Sequence, residues 1–139
     1  MHPIVRNILA VVVGLVVGAV VNMGTLKMGG SLVPPPAGAD TMTMEGLKAS
    51  MHLFGPQHFL FPFLAHALGT LVGAAAAAII AATRKLRFAM VIGVAFLGGG
   101  VAMVMGVPSP MWFNVLDLVV AYIPMAWLGW KIGARPRTQ

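Results

Sequence analysis

Apolar residues run almost unbroken through four stretches of the 139-residue chain, roughly 4–28, 56–83, 88–107 and 110–132. Each meets the requirement of about 20 residues for a helix that crosses a bilayer core about 30 Å thick. The breaks are equally legible. "GGSLVPPPAGAD" cannot continue a helix, "TRKLR" is too charged to bury, and "GVPSPM" is a tight Gly/Pro turn. Only the first connection is long enough to hold structure of its own. There Met44, Leu47, Met51 and Phe54 recur at helical spacing behind Asp40 or Thr41 as N-cap. The pattern predicts a short amphipathic helix on the outer membrane surface or over the mouth of the bundle. The expected fold is all-α: one integral membrane domain over residues 1–139, a four-transmembrane-helix bundle.

Composition supports that assignment. Hydrophobic residues make up 59% of the chain and charged residues 9%, against roughly 45–50% and 25% in soluble domains. The net charge of +6 would suggest nucleic acid if it were clustered on a soluble surface, but it lies at span ends. Arg6, then Arg84, Lys85 and Arg87, then Lys131, Arg135 and Arg137 all fall on one side after four crossings. The positive-inside rule therefore puts both termini in the cytoplasm. Trp112 opens the fourth span, and Trp127 and Trp130 close it about 22–27 Å away, an aromatic belt at each interface. A secretory signal is not expected, because the first apolar stretch is too long and "AGAD" lies too far beyond it. Without cysteine, disulfides and thiolate metal sites are excluded.

Inside lipid, helices approach one another through small residues. The first span repeats them at Ala10, Gly14 and Gly18; the second at Ala65, Gly69, Gly73, Ala77 and Ala81; the third has Gly93 and the run Gly98, Gly99, Gly100. Gly14, Gly18, Gly69, Gly73, Gly93 and Gly99 are the expected packing positions, within the chain or between copies. Pro56 and Phe59 match Pro110 and Phe113 at the starts of spans two and four, the one trace of a duplicated two-span unit.

Polar residues within the spans are few and fall at one depth. His66 lies about 15 Å, Asp117 about 10 Å and Asn22 about 9 Å from the outer ends of their spans. Helical side chains lean toward their own N-terminus, which raises His66 nearly to the level of Asp117. Asn114 is three residues from Asp117 and shares its face. A buried layer of Asn22, His66, Asn114 and Asp117 follows, in which Asp117 is partnered by His66 or by an amide of Asn22 or Asn114. Such a layer serves helix register, proton or ion exchange, or ligand binding. Pro124 frees the carbonyl of Val120 and kinks the lower half of span four. Met42, Met44, Met51, His52 and His58 cluster in the first connection, soft donors suited to Cu(I), though methionine is also a flexible apolar filler. Haem ligation is poorly served, since only His66 lies deep. No hydrolase elbow, zinc-protease helix or phosphate loop is present, and no cofactor is expected.

The stretches "HFLFPFLAHALGTLVGA" and "PSPMWFNVLDLVVAYIPMAWLG" resemble small four-span bacterial inner-membrane proteins without an assigned activity. The resemblance implies a bacterial inner membrane and no catalytic roles. Function is thus expected to be that of a bilayer-embedded helix bundle, self-associating or an accessory subunit of a larger complex. The alternatives are a proton- or cation-coupled small transporter or channel built on Asp117 and His66, and Cu(I) binding on the periplasmic side.

Overall fold

The computed structural model describes residues 1–136; Arg137, counted among the basic side chains, lies outside them. The described residues are helical without strands: α1 Pro3–Leu32, α2 Met44–Ser50, α3 Leu60–Ile80, α4 Lys85–Gly106, α5 Met111–Val120 and α6 Ile123–Gly133. A 3₁₀ turn, Pro56–Phe59, leads into α3, and α5 and α6 form one apolar unit broken in the middle. Four helical units, Pro3–Leu32, Pro56–Ile80, Lys85–Gly106 and Met111–Gly133, are long and apolar enough to cross a membrane. Outward-facing Val12, Val16 and Val20 are half exposed or more, as suits helices meant for hydrocarbon rather than water.

α3 is the central helix, touching α1 along its length and α4 and α6 on its other sides. Glycine makes the first seam. A methyl carbon added at Gly14 would lie 2.8 Å from the carbonyl oxygen of Gly73, and one at Gly18 would lie 2.8 Å from that of Gly69. Backbone therefore meets backbone, where dispersion and weak polar contacts replace the hydrophobic effect that lipid cannot supply. A second seam joins α6 to α3 through Gly129 and Gly133, which face the Leu71 and Ala75 backbone. These two glycines are spaced like the others but were not among the expected packing positions. Gly93 seats Ala126 of α6. Gly99 packs against no other helix of the chain: a methyl carbon added there would meet nothing within 4 Å, and the close neighbour belongs to Gly100, which receives the ring of Tyr122.

The end that carries the chain termini is closed by side chains. Arg6 donates from Nε and Nη2 to the carbonyl of Ile80, at 3.1 and 2.9 Å. Asn7 accepts from the Ala82 amide and donates to Thr83 Oγ1. The last turn of α3, whose carbonyls lack helical partners, is thereby held by the first turn of α1. Arg84 follows with φ 44°, a left-handed step that reverses the chain within a few residues. Toward this end Ala10, Ala74, Ala77, Ala78, Ala81, Ala89, Ile92 and Ala126 form a core with no exposed surface.

At the opposite end the first connection folds over the bundle. The N-cap of α2 is Thr43, not Asp40 or Thr41: its Oγ1 accepts from the Gly46 amide at 2.9 Å. Asp40 supports that cap from outside, accepting from Thr43 Oγ1 and from the Met42 amide. The helical spacing of Met44 to Phe54 is real but ends early, with Met51–Leu53 a 3₁₀ turn. Met51 is buried against Phe59, Val107 and Phe113.

Gly73→Ala is expected to cost about 1–3 kcal/mol through overpacking of the α1–α3 seam. Gly99→Ala should stay within about 0.5 kcal/mol of the native protein. Unfolding in mixed detergent micelles, followed by tryptophan fluorescence, measures both.

Candidate functional site: a carboxylate-oriented histidine beneath an apolar cavity

Asp117 is the only acidic residue within the four long helices, and its side chain is 4% exposed. Its two oxygens meet two different elements. Oδ1 lies 2.8 Å from His66 Nδ1 of α3, and Oδ2 accepts the Tyr122 hydroxyl at 2.9 Å. An ionised carboxylate only accepts, so opposite one it is His66 Nδ1 that donates, and in a neutral imidazole Nε2 is then left as the acceptor. The Tyr122 ring stacks on the imidazole, with centroids 5.8 Å apart and planes at 27°. Each of the three side chains is therefore fixed by the other two.

Tyr122 was absent from the expected layer, and the break in the fourth span explains why. In an unbroken helix a residue five positions on points about 140° away from Asp117. Pro124 supplies no amide for the Val120 carbonyl, the helix yields at Ala121 and Tyr122, and Tyr122 adopts φ −116° and ψ −77°. That step swings the phenol back over the preceding turn. Gly100 of α4 makes room for it, since a side chain there would overlap the hydroxyl.

The amides behave differently from expectation. Asn22 faces α3 beside Gly69, but its Oδ1 is buried without a partner and it does not reach Asp117. α1 is clamped to the glycine row of α3, while Asp117 and Tyr122 sit against His66 and Gly100. Asn114 keeps to its own helix end, donating from Nδ2 to the Ser109 carbonyl at 3.2 Å, with Oδ1 buried and unpartnered. Thr70 Oγ1 on α3 is likewise unpartnered. Of the four polar residues, only His66 and Asp117 are joined directly.

Above this pair lies a cavity of about 570 Å³, within the range of about 300–1,000 Å³ usual for small-molecule sites. His66, Asp117 and Asn114 line it on the bundle side, and Leu47, Met51 and Phe54 of the first connection line it from the other. The walls are mainly apolar, with Met23 and Leu26 from α1 and Met103 and Val104 from α4. Lys27 stands at its edge, and among the described residues it has no acidic partner. His66, at 22% side-chain exposure, is the member of the buried pair that the cavity reaches.

The soft donors in the first connection are dispersed. Met42, Met51 and His58 contribute to the cavity wall, whereas Met44 and His52 do not. Met51 belongs to an apolar cluster, and His58 Nδ1 accepts from the Gly55 amide at 2.9 Å. Among the described residues no three His, Asp or Glu side chains converge as a metal site would require. Comparison with family models, with curated proteins and with solved structures gave no match to this chain, so the site has to be read from its own geometry.

Tyr122→Phe removes one of two donors from a buried carboxylate and is expected to cost about 1–3 kcal/mol. In an Asp117→Leu background the same change should cost close to nothing. A double-mutant cycle in mixed micelles reports this coupling.

Proposed function

We propose that this chain is a small integral membrane protein that holds a lipophilic small molecule in the cavity, with His66, oriented by Asp117, hydrogen-bonding its polar group. The observation that carries this is an imidazole held by a buried, doubly bonded carboxylate and presented at the wall of a roomy apolar cavity. A pair needed only to fix helix register would have no use for the space beside it. Such a ligand would meet mainly carbon surface and one well-placed acceptor, the usual economy of a small-molecule site. The role is binding rather than catalysis, in keeping with an accessory or self-associating membrane subunit.

The same pair could instead serve a proton- or cation-coupled carrier, and an ionisable group within a spanning helix favours that. Two features argue against it. Each Asp117 oxygen already accepts one hydrogen bond and the side chain is 4% exposed, which leaves a cation little surface to approach. Toward the basic end, the path from the pair meets alanines with no exposed surface, and passage would require the glycine seams to open. A bacterial inner membrane with both termini in the cytoplasm completes the proposal. Its support is the arrangement of Arg6, Arg84, Lys85, Arg87, Lys131 and Arg135 at the ends of helices that share one end of the bundle.

The probe is 1-aminoanthracene, a small lipophilic fluorophore, titrated into protein in lipid nanodiscs with empty nanodiscs as background. Saturable binding is expected, weakened at least tenfold by Val104→Trp, which fills the cavity from α4. Equal binding to that variant, or none above the lipid background, would contradict a ligand cavity.

A further inference from the structure

The end of the bundle that carries the termini is charged in one sense only. Arg6, Arg84, Lys85, Arg87, Lys131 and Arg135 lie there, and none of the three acidic residues does. Asp40 and Glu45 belong to the connection that covers the opposite end, and Asp117 is committed to His66 and Tyr122. Two of the cations are occupied within the protein: Arg6 donates to the Ile80 carbonyl, and Lys131 rests 4.2 Å from the centroid of the Trp127 ring. Among the described residues Lys85 and Arg135 have neither an acidic partner nor an aromatic face.

These two share a recess. Lys85 opens α4 and Arg135 lies just beyond α6; between them is a space of about 320 Å³, bounded also by Ile79 of the last turn of α3 and by Gly133, Ala134 and Pro136. Its walls are mainly polar, the reverse of the cavity near His66, with which it shares no residue. Lys85 is half-buried and gives up part of its hydration there without an opposite charge in return. Like charges beside one recess repel, and an anion seated between them replaces that repulsion with two attractions. Arg135 adds geometry to charge, since a guanidinium forks onto two oxygens of a phosphate.

Position selects the kind of anion. The recess lies where three apolar helical units end, and Trp127 and Trp130, in the last turns of α6, are residues that favour the level of the lipid headgroups. Ile79, 46% exposed, forms the apolar wall, so a charged head held in the recess continues into an acyl chain along the helices. A soluble anion gains the head contacts alone. We infer that Lys85 and Arg135 bind the phosphate of an anionic membrane phospholipid at the junction of α3, α4 and α6. Basic pockets between spanning helices hold such headgroups by the same physics. A zwitterionic headgroup brings a cation of its own beside the two basic side chains and is disfavoured. This lipid site is independent of the ligand cavity at the other end.

Native mass spectrometry of the detergent-solubilised protein, titrated with phosphatidylglycerol or with phosphatidylcholine of the same acyl chains, tests the site. The first phosphatidylglycerol is expected to bind about tenfold tighter than phosphatidylcholine. Lys85→Gln combined with Arg135→Gln should abolish that preference. Arg84→Gln combined with Arg87→Gln removes the same charge from the same end but outside the recess, and should change the preference by no more than about twofold. Thermal unfolding verifies that the variants are folded; if the recess pair is not, Arg135→Gln alone, at an exposed residue beyond α6, should still lower the preference by about threefold or more. Equal affinity for the two lipids, or an equal loss in both double variants, would overturn a defined site in favour of diffuse attraction. Inorganic phosphate in excess is expected to leave the lipid bound. Displacement that depends on Lys85 and Arg135 would make the ligand a soluble anion and overturn the lipid assignment.

Discussion

A carboxylate placed within an apolar helix bundle has to be met by donors, and most of the structure near the loop-covered end follows from that. Inserting an aspartate near the middle of a spanning helix costs roughly 2.5–3.5 kcal/mol. Asp117 offsets the cost with two bonds from outside its own helix turn, one to His66 of α3 and one from Tyr122 beyond the break. The break needs Pro124, and the returning phenol needs Gly100. Remove any of these and the carboxylate loses a partner. The imidazole is consequently fixed in orientation and tautomer, the condition under which its remaining nitrogen can discriminate among ligands.

Packing divides the bundle into two unlike halves. Toward the basic end alanines and glycines let α3 touch α1, α4 and α6 closely enough to exclude everything else. Toward the other end the facing residues are large and irregular, among them Phe59, Phe61, Met103 and Phe113, and they cannot interdigitate to the same density. The cavity is the space left over, roofed by a connection whose short helix is held by Thr43 and Asp40. A dense floor and a loose upper half suit a site that opens from one side.

Much of this was legible in the chain. Length and hydropathy marked the four apolar units within a few residues, and depth with facing directed attention to His66 and Asp117, which lie 2.8 Å apart. The rest failed for definite reasons. Asn22 faces inward as its row requires, but which neighbour α1 adopts is a matter of tertiary packing, and Asn22 lies against Gly69. Tyr122 could not be found from the periodicity of a straight helix; the signal is Pro124, which marks a break in the helix but not the side chain that the break redirects. Gly99 and Gly100 are indistinguishable until the phenol is located. Asp40 and Thr41 were the expected caps, and Thr43 takes the role because α2 begins at Met44, the start of a helix being its least determined feature.

The central claim is that His66 hands a proton-bearing Nδ1 to Asp117 and keeps Nε2 bare for the cavity. Nitrogen-15 solid-state NMR of histidine-labelled protein in lipid bilayers at neutral pH reads this directly, with a His66→Gln variant assigning the signal. The account predicts a neutral ring protonated at Nδ1, with an unprotonated Nε2 that shifts when 1-aminoanthracene is added. A ring protonated at Nε2 with Nδ1 bare, or one whose nitrogens ignore Asp117→Asn, would contradict it.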